Sequence, residues 1–269
     1  MSQSFKSIKD YPGNNEIDYS ICTIVNDMNE YHLMKDSFES SGFTGNCEYL
    51  IADNTQQNIY DAYHAIGLFL KQATGKYMVI VHQDVRCIDT RKVLDTCLDN
   101  LNEFHPNWGI CGNAGAKGYH QYVLNITDPS HKAPYPNLPE EVNSLDENLL
   151  IIKRASNITI SPNLIGFHLY GTDLCIIAKF LGYQCFVIGF MVEHLSKGNL
   201  KDLQSYKSYF IERYGKKMNI GFIQTTCASF YLSNSQFKNR FFNSPIIYFF
   251  IKQFKRYPYL IRELIKRKS

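Results

Sequence analysis

Closely spaced cysteine pairs are missing from this chain. Its eight cysteines, at positions 22, 47, 87, 97, 111, 175, 185 and 227, form no CxxC and no Cys/His spacing of a zinc site. With 269 residues the chain is too long to need covalent staples, so the pattern argues against a disulfide scaffold and reads as reduced, mostly buried thiols of a cytosolic protein. Neither GxGxxG nor GxxxxGKS/T occurs, which removes the dinucleotide fingerprint and the phosphate loop. No stretch approaches the ~20 apolar residues of a membrane span, and MSQSFKSIKDYPGNNEIDYS at the N-terminus lacks the apolar core of a signal peptide. The protein is therefore expected to stay inside the cell. Tryptophan occurs once, and four of the nine prolines fall in residues 127–143, a segment that reads as a loop over a site rather than core.

What is present is ordinary globular composition, 45% hydrophobic and 20% charged, enough for one large α/β domain or two small ones. Nineteen Tyr and 18 Phe predict an aromatic core, with some rings left to line a cleft. The formal net charge of +3 is uneven: residues 238–269 hold nine of the 28 Lys/Arg and one of the 25 Asp/Glu, leaving −5 on the body and +8 on the tail.

Along the chain, residues 19–26 (YSICTIVN) read as a strand, and the following segment as a helix closed near Gly42. CEYLIADN (47–54) is a second strand and residues 59–77 a helix stopped at Gly75. YMVIVHQDV (77–85) is a third strand. This βαβαβ order predicts a doubly wound sheet whose parallel strands carry polar groups at their C-terminal ends. Those ends hold Asn26 and Asp27, Asp53 and Asn54, and His82 and Asp84. A metal held by carboxylate and imidazole would take the place of the missing phosphate loop. Beyond a helix at roughly 89–104, the spacing predicts strands at 108–118 and 144–155, a helix from about Thr172 to Leu181, a strand, and a turn bearing His194.

In this order, the strands ending IVN and AD, then ATGKYMVIVHQDV, SLDENLLIIKR, FHLYGTDLCIIAKFLGY and EHLSKG resemble glycosyltransferases of the GT-A fold. The similarity covers roughly residues 19–200 and lies closest to the family-2-like branch that includes the glycosyltransferase-like proteins of streptomycin biosynthesis clusters. It implies a Rossmann-like mixed sheet flanked by helices, a nucleotide-sugar donor and a divalent ion. The family's DxD triplet corresponds to His82-Gln83-Asp84, so Asp84 inherits the metal role and His82 replaces the first acid. An imidazole in that place favours Mn²⁺ over Mg²⁺. His194 matches the family's further metal or phosphate contact, and Val25, Asn26 and Gln83 fall in the donor pocket. Asp53 resembles the acid that reads the nucleobase. Asp173, in YGTDL, stands for the catalytic base, and His168 for a group orienting the base or the acceptor. Asp146 and Glu147 are candidates for acceptor contact.

Each assignment has a plainer rival. Asp84 could cap the next helix, Asp53-Asn54 is an ordinary turn signal, and Asp173 could cap its own helix beside Thr172. His168 and His194 could be satisfied within loops, and Asp146 and Glu147 could be a solvated strand end. The tail interleaves aromatics with Lys and Arg, as a segment lying on an anionic membrane surface would, or as a packed helix with solvated basic residues would. Nucleic acid is not expected as a partner, since the body is acidic and no binding motif occurs. The reading is a GT-A-like domain over 1–237 with a basic extension over 238–269, cytoplasmic or peripheral on the inner face of the membrane. Its expected activity is metal-dependent, inverting transfer of a sugar to a glycan or lipid-linked acceptor in polysaccharide or glycoconjugate synthesis. The alternatives are a non-catalytic nucleotide- or sugar-binding protein and a nucleotidyltransferase.

Overall fold

A computed structural model describes residues 17–127, 137–196, 202–215, 217–247 and 249–250. The chain runs β1 (Tyr19–Val25), α1 (Met28–Ser40), β2 (Cys47–Asp53), α2 (Ala62–Gln72), β3 (Tyr77–Val81), β4 (Val85–Cys87) and α3 (Arg91–Phe104). It continues through β5 (Trp108–Gly112), β6 (Ala114–Gly118), β7 (Gln121–Leu124), β8 (Glu140–Val142), β9 (Ser144–Leu145), β10 (Leu149–Lys153) and α4 (Tyr170–Phe180). It closes with β11 (Gln184–Val187), β12 (Val192–His194), α5 (Leu203–Tyr214), β13 (Gly221–Gln224), β14 (Ser229–Leu232) and α6 (Gln236–Phe242).

Seven strands form the main sheet in the order β2-β1-β3-β10-β5-β11-β8. Strand β1 is parallel to β2 and β3, and β11 to β5, whereas β10 runs antiparallel between β3 and β5 and β8 antiparallel on the edge. The fold is therefore the expected Rossmann-like mixed sheet flanked by helices. The reversal of β10 matters for function. It brings the start of that strand, with Asp146 and Glu147 just before it, to the same edge where β1, β2 and β3 end.

Both faces of the sheet are apolar, as a sheet covered by helices on two sides requires. One face carries Met78, Ile80, Leu150 and Ile152, buried with Ala62, Ile66 and Phe69 of α2 and Leu174 of α4. The other carries Ile21, Val79, Val81, Leu149 and Ile151, packed with Met34 and Phe38 of α1 and Leu94 and Leu98 of α3. Trp108 is fully buried, stacks on Tyr77 at 5.9 Å and donates its indole N–H to Asn102 Oδ1 at 2.9 Å. Among the described residues, seven Tyr and seven Phe are also buried.

Several boundaries differ from the sequence reading. Helix α2 ends at Gln72, not near Gly75. Gly75 is needed instead because a Cβ there would lie 2.6 Å from the backbone nitrogen of Ser20. The strand expected over 77–85 breaks after Val81, where His82 N–H turns to the Asn148 carbonyl at 3.1 Å. The strand expected over 144–155 breaks at Asp146, whose carboxylate accepts from Asn148 N–H at 3.1 Å and so folds the chain into a turn. Thr172 lies inside α4 and is buried; the cap position is Leu169, at φ +67°. Most of the proline-rich loop, 128–136, lies outside the described residues, and Glu140–Val142 beyond it forms β8. The expected domain boundary after residue 237 falls within α6, which is stitched to the residue following β14 through Asn239, bonded to both Ser233 N–H and its carbonyl.

Candidate metal centre and acid pair

The turn His82-Gln83-Asp84 joins β3 to the short strand β4. Arg86 holds its shape from beneath: one guanidinium nitrogen donates to the carbonyls of Gln83 and Val85, both at 3.0 Å, and the other reaches Glu30 of α1 at 2.5 Å. Strand β4 pairs antiparallel with β12, placing His194 opposite Val85, and Leu195 N–H donates to the Asp84 carbonyl at 3.1 Å. This pairing closes the long sequence gap between Asp84 and His194.

Three donor groups converge there. His82 Nδ1 lies 3.9 Å and His194 Nε2 3.4 Å from Asp84 Oδ1. One ligand atom from each of the three residues falls within 4.8 Å of the other two. Burial would raise the Asp84 pKa, but hydrogen bonds from His194 and Ser196 and the charge of His82 outweigh it and hold the carboxyl well below the usual range. Burial pushes the imidazolium of His82 towards loss of its proton, with the Asp84 charge opposing. A deprotonated carboxylate and imidazole nitrogens with a free lone pair are what a metal requires of its ligands. Two imidazoles and one carboxylate fit a divalent transition ion better than Mg²⁺, which prefers all-oxygen surroundings.

The donor-pocket candidates are arranged around this turn. Gln83 staples it to the end of β1: its Oε1 accepts from Asn26 N–H at 2.9 Å and Asp27 N–H at 3.1 Å, and its amide donates to Asn26 Oδ1 at 2.5 Å. Val25 is fully buried, so only its backbone can border a ligand. Asp27 caps α1 by accepting from Asn29 N–H at 2.9 Å. Asp53 is exposed at the end of the edge strand β2, opposite Val25 in register, and accepts from Thr55 N–H and hydroxyl at 2.8 and 2.7 Å. Those two bonds lower its pKa.

Of the acids, Glu147 and Asp146 are at the site edge and Asp173 is not. Glu147 is half-buried against the start of α4, where Gly171 N–H faces its carboxylate at 3.4 Å. Burial, aided by the charge of Asp146 and opposed by the α4 backbone N–H groups, pushes its pKa up to about 8. Asp146 accepts from Asn148 Nδ2 at 2.6 Å and from the Thr226 hydroxyl at the tip of the β13–β14 hairpin. Asp173 is fully buried. Its carboxylate accepts from Ser161 N–H and hydroxyl, both at 2.8 Å, and from the Tyr214 hydroxyl of α5. It ties the loop before α4 to α5. His168 is half-buried, its ring 5.7 Å from Tyr206 and its carbonyl accepting from Tyr63. Sequence reasoning missed Tyr170, whose hydroxyl sits 2.8 Å from His82 Nε2. It also missed Ser196 and Thr226, for which no spacing signal existed.

Fold and site together define a mixed α/β protein with a His-Asp-His cluster at the edge where its parallel strands end. No family model matches the chain. It is 32% identical over 188 residues, 66% of this chain and 76% of the other, to the protein "ATP synthase subunits region ORF 6" of Fuscovulum blasticum, and it belongs to the same family as that protein. That name states no activity. Among solved structures, the chain resembles mannosyltransferase PcManGT from Pyrobaculum calidifontis, in complex with GDP-Man and Mn²⁺, with a TM-score of 0.49 at 12% identity over 81% of this chain and 70% of that one. It resembles S. aureus TarS 1-349 in complex with UDP-GlcNAc with a TM-score of 0.49 at 11% identity, over 74% of this chain and 66% of that one. A197 from STIV gives 0.40 at 12% identity, over 67% and 87%. At these distances no residue role passes from them to this chain.

Proposed function

We propose that this protein is a metal-dependent glycosyltransferase that moves a sugar from a nucleotide-sugar donor to an acceptor hydroxyl. The observation that carries the reading is the convergence of His82, Asp84 and His194 on one point at the strand-end edge, with the Glu147 carboxyl at the same edge. Strand ends of α/β sheets are where such folds bind ligands. The motif order of the sequence, with HQD in the place of DxD, supports the same reading.

His82, Asp84 and His194 would hold the ion, with Mn²⁺ preferred over Mg²⁺ by the nitrogen-rich donor set. When bound, it supplies positive charge where the leaving diphosphate becomes more negative. Gln83, Asn26 and the backbone at Val25 form the wall on the β1 side, and Asp53 marks the far end of a donor pocket. The base role moves from Asp173 to Glu147. A base must reach the hydroxyl proton, and Asp173 is sealed inside three hydrogen bonds, whereas Glu147 is partly accessible and has a pKa near working pH. A single base on the acceptor side favours inversion. His168 and Asp146 would border the acceptor.

The test is a thermal-shift screen of UDP, GDP, dTDP and CMP, and their sugar conjugates, with and without Mn²⁺. A ligand of the folded state raises the melting temperature by mass action, about 2.7 kcal/mol of stabilisation at 100 times Kd. One nucleotide class should give a shift that needs Mn²⁺ and disappears in Asp84→Asn. No shift with any nucleotide in the presence of Mn²⁺ would sink the reading.

The acceptor side includes an anionic membrane surface. Phe237 and Phe241 stack on one exposed face of α6 at 6.0 Å, and Ile246, Phe249 and Phe250 are also exposed, with Lys238 and Arg240 beside them. Apolar side chains flanked by basic ones suit the interfacial zone of an anionic bilayer. Among the described residues no helix is long and apolar enough to cross it. Sedimentation with anionic vesicles should fall severalfold in Phe237→Ser/Phe241→Ser, and equal sedimentation of variant and parent would exclude this face.

A further inference from the structure

Tyr170 opens helix α4 and is buried, its ring edge-on to Tyr63 with centroids 6.5 Å apart. Its hydroxyl lies between two groups: His82 Nε2 at 2.8 Å and the carbonyl oxygen of Glu147 at 3.0 Å. A phenol has one hydrogen to give. The carbonyl can only accept, so the hydroxyl donates to Glu147 and must accept from the ring nitrogen. That arrangement requires the hydrogen of His82 to be on Nε2. The other nitrogen, Nδ1, then carries the free lone pair, and it is the atom facing Asp84 at 3.9 Å. The opposite assignment would put a hydrogen on the ligand face and leave the Glu147 carbonyl without the phenol hydrogen.

We propose that Tyr170 is a positioning residue for a metal ligand, selecting the imidazole tautomer in which His82 presents Nδ1 to the cluster it forms with Asp84 and His194. The inference rests on the metal reading above and deepens it. Outer partners of this kind fix the ring orientation as well as the tautomer. The geometry also joins three parts of the site through one oxygen atom: the ligand, the first turn of α4, and the backbone of Glu147. Strain or displacement at the start of α4 would thus be felt at the ligand. A helix start carrying any other residue that fills the same space, Phe included, would leave His82 free to rotate and to exchange tautomers.

The experiment compares the full-length parent with Tyr170→Phe, which keeps the ring and removes the oxygen, using His82→Gln to assign the His82 signals. Long-range proton–nitrogen correlation on histidine-labelled, metal-free protein reads the tautomer directly. The parent should show His82 as the Nε2–H form, and Tyr170→Phe a mixture or the Nδ1–H form. Titration with Mn²⁺ alone should show binding weakened 10–100-fold in Tyr170→Phe, the range for loss of such a partner. A parent already in the Nδ1–H form, or a variant with unchanged tautomer and unchanged Mn²⁺ affinity, would overturn the proposal. If Tyr170→Phe does not fold, the parent's tautomer alone decides. A parent in the Nε2–H form that binds no Mn²⁺ would instead count against the metal reading and leave the tautomer assignment standing.

Discussion

At the edge where β1 and β3 begin, Asp18 and Asp95 flank a single guanidinium: Arg91 reaches Asp18 at 2.5 Å and Asp95 at 3.6 Å. Tyr19 adds its hydroxyl to Asp95 at 2.5 Å, and Arg91 covers the Tyr19 ring at 5.2 Å. At the opposite edge, where the same strands end, Asp84 meets two imidazoles, and Asp146 and Glu147, just before β10, repel one another. The first set closes on itself, around a cleft of about 280 Å³ lined by Asp18, Tyr19, Lys76, Tyr77 and Arg91. The second brings donor atoms of three side chains, one carboxylate and two imidazoles, to one point. A cluster whose charges are matched by side chains contributes to folding, whereas one whose charge balance needs an outside ion or substrate is a place for chemistry.

The largest effect expected from breaking this contrast is at Glu147. Glu147→Gln keeps the shape and removes the base, so turnover should fall 10²–10⁴-fold while the protein stays folded. The parent's rate should rise with pH through about 8, where half of the carboxyls have lost their proton, and level off above it, and the variant's profile should lose that rise. Stability gives an independent check. The folded-state pKa is raised from the ordinary 4.5, so folded protein holds the proton more tightly than unfolded chain, and stability falls as pH rises from about 4.5 to about 8. Above pH 8 Glu147→Gln should melt at a higher temperature than the parent, because it carries no buried charge there. Asp173→Ala should do the reverse: it strands the Ser161 N–H and takes one of two partners from the Tyr214 hydroxyl, costs about 2–4 kcal/mol of stability, and loses turnover only as it loses fold. A stable Asp173→Ala protein with no turnover would restore Asp173 as the base.

Of the two edges, the sequence made part of the open one legible and nothing of the closed one. HQD was legible because an apolar run, Val79 to Val81, ends abruptly in groups that seldom finish a buried strand unpartnered. His194 was reachable only through motif order, since its approach to Asp84 depends on the register of β12 on β4. Asp173 looked like a base because YGTDL stands in the place where the resembled family carries its catalytic acid. What seals it is a tyrosine far along the chain, on α5, and a serine in the preceding loop. Glu147, read from the sequence as an acceptor contact or a solvated strand end, was missed as a base for the complementary reason. Its burial is created by the insertion of β10 against the parallel strands and by the start of α4, neither of which leaves a mark on the residues DEN themselves.

The smallest effect is expected from the closed edge, and it sharpens the contrast by failing to touch function. Arg91→Met removes the one cation shared by Asp18 and Asp95 and leaves both carboxylates half-exposed, with water to solvate them. The cost is therefore below that of a fully buried pair, on the order of 1–3 kcal/mol. That should lower the melting temperature by several degrees at a rate of about 2–4 °C per kcal/mol for a chain of this size. Mn²⁺ affinity should stay within twofold of the parent, because the two clusters lie at opposite ends of the same strands and share no side chain. Calorimetric titration with Mn²⁺ alongside thermal melting separates the two quantities. A large loss of Mn²⁺ affinity in a well-folded Arg91→Met protein would mean that the two edges are coupled through β1 and β3, and that the closed network helps set the geometry of the open one.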